Sequence, residues 1–105
     1  MTSKVESVNH IPIRLTDERW RHIVENHNDI ASFYFEILET VANPEFVFDG
    51  DYGELWAVKH ISLRKVIMVI YREFQVQNAG FVITAFFTTK LKKLFKRRII
   101  WRRQL

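Results

Sequence analysis

The chain contains no cysteine, and it holds only three glycines and two prolines among its 105 residues. Without cysteine it cannot form a disulfide scaffold, a thiolate nucleophile, an iron–sulfur cluster or a cysteine-ligated zinc finger. Three scattered glycines cannot build a glycine-rich phosphate loop. No apolar run approaches the roughly 18 residues of a membrane span, and the first six residues lack the apolar core of a signal peptide. We therefore expect a cytoplasmic protein with no membrane partner.

The composition is that of a folded domain. Hydrophobic residues make up 48% of the chain and aromatic residues 14%, which is too apolar for a disordered protein. A chain of 105 residues supports one core, because two cores would each be too small to be stable alone. We predict a lead-in segment over residues 1–12 and a single domain over residues 13–105.

The charges are unevenly distributed along the chain. Residues 1–53 carry 4 basic and 10 acidic side chains, a net charge of −6, whereas residues 54–105 carry 12 basic and 2 acidic ones, a net charge of +10. Eight basic residues and no acid lie within residues 90–103. Such a segment suits a phosphate-rich partner, which could be RNA, DNA or an anionic membrane surface, although a solvated basic tail has the same composition.

Two helices are predicted in the first half of the chain. Thr16 is followed by two acidic residues, which is typical of a helix N-terminus. Apolar residues then recur at helical spacing as far as His27. A second helical pattern begins at Asn28 and ends at Asn43, because the residue before a proline disfavours the helical conformation.

The second half of the chain has the pattern of an antiparallel sheet. Four strands are predicted, over residues 46–48, 55–61, 66–74 and 81–88. The turns between them are short, which favours antiparallel neighbours. The basic C-terminal segment is predicted to be helical over residues 90–98 and to end in a short strand over 99–101. The fold class is therefore α+β, with two N-terminal helices followed by a four-stranded antiparallel sheet.

The four histidines do not have the spacing of a metal site. His22 and His27 lie about 140° apart around a helix, and no other pair has a ligand spacing. We therefore expect neither a metal nor another cofactor. The remaining polar residues suit metal-free cleavage of a phosphodiester. That reaction needs a base for the 2′-hydroxyl, an acid for the 5′-oxygen, and cations or hydroxyls around the charged phosphorane.

Candidates for each of these roles are present. They are the histidines His22, His27 and His60, the cations Lys59, Arg64 and Arg72, and the hydroxyls of Tyr71, Thr84 and Thr88. Histidine is the usual acid or base near neutral pH. Each candidate also has a purely structural interpretation: His22 can pair with Glu18, His27 lies on the apolar stripe of its helix, and Thr84 is an ordinary strand residue.

Several short motifs follow one another in a recognisable order. They are Trp20-Arg21-His22-Ile23, His27, Thr40 to Asn43-Pro44, Gly53-Glu54-Leu55, Ala57-Val58-Lys59, Val69-Ile70-Tyr71-Arg72-Glu73, the stretch 80–88 and Lys96-Arg97-Arg98-Ile99-Ile100-Trp101. This order resembles small uncharacterised proteins assigned to the phage-associated branch of the barnase–EndoU–colicin–RelE-like (BECR) nuclease superfamily. The resemblance covers roughly residues 13–101.

The resemblance implies a fold, an activity and a site. Superfamily members have one or two N-terminal helices before a four-stranded antiparallel sheet. They typically cut RNA without a metal, and many are toxins paired with an antitoxin or immunity protein. The implied catalytic positions are His22 and His27 as acid or base, Lys59 on the phosphate and Thr84 on the scissile group. One departure is Asn28-Asp29, where the family usually has Pro-Glu.

The leading hypothesis is a metal-independent endoribonuclease, the toxin of a toxin–antitoxin pair with an acidic antitoxin. Its RNA-binding cations would be Arg64, Arg72, Lys92, Lys93, Lys96, Arg97 and Arg98. One alternative is a non-catalytic RNA- or protein-binding module of the same fold. Another is an amphipathic membrane-surface element over residues 90–101, although its apolar residues also suit docking onto the sheet. A single site predicts that His22 or His27 lies within about 8–10 Å of Lys59 and Thr84.

Overall fold

A computed structural model of the chain describes residues 2–104. This part of the chain contains one seven-stranded sheet, three α-helices and a 3₁₀ turn over Asn28–Ile30. In chain order the elements are β1 (Ser3–Glu6), β2 (Pro12–Leu15), α1 (Asp17–Asn26), α2 (Tyr34–Ala42), β3 (Phe46–Asp49), β4 (Leu55–His60), β5 (Val66–Phe74), β6 (Ala79–Thr88), α3 (Leu91–Leu94) and β7 (Ile99–Arg102). The predicted α+β class is confirmed.

The sheet is larger than the sequence predicted. Its strand order is β1-β2-β6-β5-β4-β3-β7. Strands β3 to β6 follow one another in antiparallel pairs, as the short turns predicted. The prediction of only four antiparallel strands is wrong in detail. Strands β1 and β2 extend one edge, β7 extends the other, and β2 runs parallel to β6.

The segment predicted as a lead-in supplies one edge of this sheet. A tight turn joins β1 to β2, in which the Ser7 amide donates to the Ile11 carbonyl at 2.9 Å. Ile13 of β2 is fully buried and pairs with Gly80 of β6. A Cβ atom at Gly80 would lie 2.2 Å from the Arg72 carbonyl oxygen of β5 and 2.5 Å from the end of the Ile13 side chain. The backbone oxygen of β5 cannot move aside as a side chain can, so the packing of β6 against β5 requires glycine at this position.

The helices begin and end at the predicted kinds of residue, with one shift. The Thr16 hydroxyl accepts a hydrogen bond from the Arg19 amide at 3.1 Å and so caps α1. The second helix begins at Tyr34 rather than at Asn28, since Asn28–Ile30 forms the 3₁₀ turn. It ends just before Asn43, as predicted. Among residues 2–104, no helix combines the length and the apolar character needed to cross a bilayer.

Helices α1 and α2 cover one face of the sheet, which we call the helix face. The main core lies between them and the strands, and it includes Ile23 and Ile37 from the helices and Ala57, Val69 and Ala85 from the sheet. Four of these five side chains are completely buried and Ile23 is 1% exposed. The two helices are therefore fixed to the sheet by apolar contact.

The other side of the sheet, which we call the groove face, carries a smaller core. It consists of Phe48, Val58, Val66, Met68 and Leu94. Leu94 belongs to α3, so a helix of only four residues covers one end of this face. The predicted helix over residues 90–98 is thus shortened, and the predicted terminal strand forms as β7.

A bulge in β6 determines which of its side chains reach the groove face. Ile70 of β5 pairs with Thr84, but Tyr71 pairs with Val82, so Ile83 is an extra residue in β6. Side chains alternate between the two faces of a strand, and an extra residue reverses the alternation beyond it. Thr84 therefore lies on the groove face with Ile70, whereas Val82 lies with Tyr71 in the main core.

Candidate nucleic-acid interface

The groove face holds a groove of about 570 Å³ between the sheet and α3, which we call the basic groove. It is lined by Trp56, Met68, Thr88, Lys90, Lys93, Leu94, Lys96 and Arg97. The first three come from β4, β5 and β6, and the others from α3 and the residues around it. Four of the eight lining residues are cations and none is an acid. The basic groove therefore combines a partly apolar floor with a positively charged wall.

The position of α3 explains this arrangement. Leu91 and Leu94 are three residues apart and lie on one side of the helix, where both pack against the smaller core. Lys92, Lys93 and Lys96 are exposed. Burial of the two leucines thus orients the short helix, and its lysines are left around the groove.

A second groove of about 610 Å³ adjoins the first, and the two share Lys90 and Lys93. It is lined by Leu63, Arg64, Thr89, Lys90, Leu91, Lys92 and Lys93. Arg64 comes from the turn between β4 and β5, far from α3 in the sequence. Of the predicted RNA-binding cations, Arg64, Lys92, Lys93, Lys96 and Arg97 therefore lie around α3.

Arg97 is held in a fixed orientation. Its guanidinium carbon lies 3.9 Å from the centre of the Trp56 ring, which is a cation–π contact. Its Nε donates to the Asp49 carbonyl at 3.0 Å, and its Nη2 donates to the Asp51 carboxylate. The ion pair with Asp51 offsets much of the Arg97 charge, so the other cations of the groove are better placed to bind phosphate.

The two remaining predicted cations lie away from the basic groove. Arg98 is exposed, and its carbonyl accepts a hydrogen bond from the Asp49 amide at 2.9 Å. Arg72 is on the groove face, but near the far end of β5. There its guanidinium lies 5.9 Å from the centre of the Phe74 ring and next to Gly53.

His27 lies next to the groove face at the open edge of β6. Strand β2 pairs with β6 only as far as Phe81, so the rest of that edge is left to α1. The His27 ring is 5.5 Å from the Phe86 ring, centre to centre, and is tilted by 33°. Phe86 packs against the smaller core, and Thr84 and Thr88 flank it on the same face. The His27 ring therefore lies beside the part of β6 that carries Thr84 and Thr88.

The other histidines are paired with carboxylates. His22 is exposed on α1, and its Nε2 lies 3.9 Å from the Glu18 carboxylate. The Nδ1 atom of His60 is 2.6 Å from Glu45, and that of His10 is 2.6 Å from Glu6. Within residues 2–104, no three histidine, aspartate or glutamate side chains converge on a position that could hold a metal ion.

Lys59 and Thr84 lie on opposite faces of the sheet. Lys59 is on the helix face, where its Nζ donates to the Glu39 carboxylate of α2 at 3.1 Å. This hydrogen bond lowers the pKa of Glu39 below its usual value. Thr84 is in register with Ile70 and, through it, with Trp56 on the groove face. The four predicted catalytic positions therefore do not form one site, because Lys59 is on the helix face whereas Thr84 is on the groove face, as is the Phe86 ring that His27 contacts.

Trp56 and Asp51 both contact Arg97, although neither is a predicted site residue. Trp56 and Val58 are two residues apart on β4 and so share a face, which could be predicted from the strand pattern. The contact of Trp56 with Arg97 could not, since 41 residues separate the two in the chain. Asp51 lies in the turn between β3 and β4, where an aspartate is common whether or not it contacts a cation.

Comparisons with protein-family models, with curated proteins and with solved structures found no match for this chain.

Proposed function

We propose that the protein is a metal-independent endoribonuclease that binds RNA in the basic groove. The observation that carries the proposal is the convergence of Lys90, Lys93, Lys96 and Arg97 around a partly apolar floor. The three lysines are placed to bind backbone phosphates whatever the base sequence. Aromatic and apolar surfaces beside them admit the bases of an unpaired strand.

The catalytic part of the proposal assigns roles to His27, Thr84, Thr88 and Lys90. The 2′-oxygen of the RNA attacks phosphorus and loses its proton, and the bond from phosphorus to the 5′-oxygen breaks. The products are a 2′,3′-cyclic phosphate and a 5′-hydroxyl. His27 transfers one of the two protons and solvent water transfers the other, so the proton lost by the 2′-oxygen is matched by the proton gained by the 5′-oxygen. The two threonines donate hydrogen bonds to phosphate oxygens, and Lys90 stabilises the charged phosphorane.

His22 and Lys59 have no chemical role in this proposal. His22 is more than half exposed beside Glu18 on α1, and Lys59 is bound to Glu39 on the helix face. The ion pair of Lys59 with Glu39 and the position of His22 beside Glu18 account for both residues, and a surface ion pair contributes only about 0–1 kcal/mol to stability.

The biological part of the proposal is a cytoplasmic toxin controlled by an acidic antitoxin. The charge of the basic groove supports it, because an acidic protein could cover the same cations that bind RNA. RNA and antitoxin would then compete for the groove.

The second candidate is an RNA-binding module of the same fold that does not cleave its ligand. The observation that favours it is the separation of Lys59 from Thr84, which removes one cation from the implied catalytic set. The two candidates share the basic groove and differ only in the chemistry at His27.

Incubation of the protein with RNA in EDTA tests the proposal. We expect cleavage that leaves a 2′,3′-cyclic phosphate, and a loss of about 10²-fold or more in rate for His27→Ala, as removal of a general acid or base requires. The matched controls are His22→Ala and Lys59→Met, which should each keep the parent rate within about twofold. RNA that is bound but not cut would favour the binding module, and full activity of His27→Ala would refute the assignment of His27.

A further inference from the structure

The guanidinium of Arg97 is held by three contacts at the rim of the basic groove. Trp56 covers one side of it at 3.9 Å, and the Asp49 carbonyl and the Asp51 carboxylate accept hydrogen bonds from two of its nitrogens. The side chain is still 26% exposed and lines the groove. These contacts restrain the guanidinium plane, so the exposed part of Arg97 offers a ligand a flat surface of defined orientation.

This flat surface is suited to a nucleobase rather than to a phosphate. A planar guanidinium stacks on aromatic faces, and arginine planes carry unstacked bases in RNA-binding proteins. The carboxylate of Asp51 already compensates the charge of Arg97, which weakens any attraction to a phosphate. Lys90, Lys93 and Lys96 line the same groove and have no such partner among its lining residues.

We propose that Trp56 and Arg97 form a stacking platform for one unpaired nucleobase, flanked by the lysines of the basic groove. The proposal rests on the proposed RNA binding and deepens it by naming the substrate class, which is single-stranded RNA. In a duplex both faces of each base are already stacked, so no base is free to cover the Arg97 plane. The lysines bind phosphates on either side of the stacked nucleotide.

The ligands for the test are two oligomers of equal length that the protein cannot cut. One is 2′-O-methyl oligouridine, which lacks the attacking hydroxyl and stacks little on itself. The other is an abasic 2′-O-methyl ribose-phosphate chain, which carries the same charge but no bases. We expect the parent protein to bind oligouridine about tenfold more tightly, which corresponds to about 1.4 kcal/mol and is within the range of base stacking on a protein surface.

Two variants separate the platform from the phosphate contacts. Arg97→Lys keeps the charge but removes the plane, so it should weaken oligouridine binding about tenfold and leave abasic binding within about twofold. Lys93→Gln is the matched control, and it should weaken both ligands by the same factor. The melting temperature of each variant shows whether the fold is retained. If Arg97→Lys unfolds, the platform is still tested by the parent protein alone, through the ratio of its affinities for oligouridine and for the abasic oligomer.

The outcomes distinguish the platform from the function on which it rests. If the parent protein binds both oligomers equally, or if Arg97→Lys weakens both equally, the platform is refuted while RNA binding through phosphates stands. If the parent protein binds neither oligomer at low salt, the proposed RNA binding fails and the platform fails with it.

Discussion

Removal of the three lysines of the basic groove should make RNA binding less dependent on salt. The variant is Lys90→Gln, Lys93→Gln and Lys96→Gln together, and all three side chains are exposed in the structure. Each phosphate of a single strand that a cation neutralises adds about 0.7 to the slope of log affinity against log salt. If each lysine neutralises one phosphate, the slope of the variant should be about 2 units shallower than that of the parent protein.

This change of slope gives a ratio that can be measured. Between 50 and 200 mM salt, a slope difference of about 2 means that the ratio of the parent's RNA affinity to that of the variant falls about 16-fold. Fluorescence anisotropy of labelled 2′-O-methyl oligouridine gives the dissociation constants at each salt concentration. Thermal melts should show little loss of stability, because exposed side chains away from the core usually contribute within about 0.5 kcal/mol.

A second triple variant controls for net charge. Lys4→Gln, Arg14→Gln and Arg21→Gln lie on β1, β2 and α1, are exposed, and lower the net charge by the same three units. This control should keep the slope of the parent protein. Equal slopes for the two triple variants would refute the reasoning, since the effect would then come from overall charge. A groove variant with the parent slope would show that its lysines contact no phosphate.

Two further predictions concern stability. The Tyr71 hydroxyl is buried without a hydrogen-bond partner among the described residues. Tyr71→Phe should therefore raise the free energy of unfolding by about 1 kcal/mol in urea melts. A free energy of unfolding below that of the parent protein would show that the hydroxyl is hydrogen-bonded. Burial acts to raise the pKa of Glu45, but hydrogen bonds from His60 and the nearby charges of His60 and Arg103 leave it below its usual value of 4.5. Its carboxylate therefore stabilises the fold above pH 4.5, and this contribution is lost as the pH falls through the folded-state pKa. Between pH 6 and pH 3, the melting temperature of Glu45→Gln should fall less steeply than that of the parent protein. Parallel curves of melting temperature against pH for the two proteins would contradict this.

The elements that depend on local patterns could be predicted from the sequence. Strand β5 has the predicted bounds, Thr16 caps α1, and the helix before Pro44 ends where predicted. Each of these is decided by a few neighbouring residues, through alternation, a capping side chain or the steric effect of a proline.

Strands β1 and β2 could not be predicted, because their structure depends on a distant partner. Each has four residues, and a strand pattern of that length is weak. The parallel pairing of β2 with β6 joins residues 13–14 to residues 80–81. Nothing local indicates this pairing, since the absence of a Cβ at Gly80 is required first by the Arg72 carbonyl of the antiparallel neighbour β5.

The candidate site was only partly predictable for a similar reason. Strand alternation from Phe81 through an unbroken β6 would place Val82, Thr84 and Phe86 on one face. The bulge at Ile83 instead puts Val82 in the main core and the other two on the groove face. No residue type in this stretch indicates a bulge, so the opposite placement of Lys59 and Thr84 could be found only from the strand register.

The uneven charge of the sequence becomes an uneven charge in space. The acidic first half supplies α1 and α2, which cover the helix face, whereas α3 and its lysines come from the basic second half and lie on the groove face. The net charge of +4 therefore understates the positive potential of the groove. A polyanion is attracted to one face and less to the other, so long-range electrostatics would orient RNA toward the groove before any contact forms. This orientation needs only the fold and the positions of the cations, and it would operate in a nuclease and in a binding module alike.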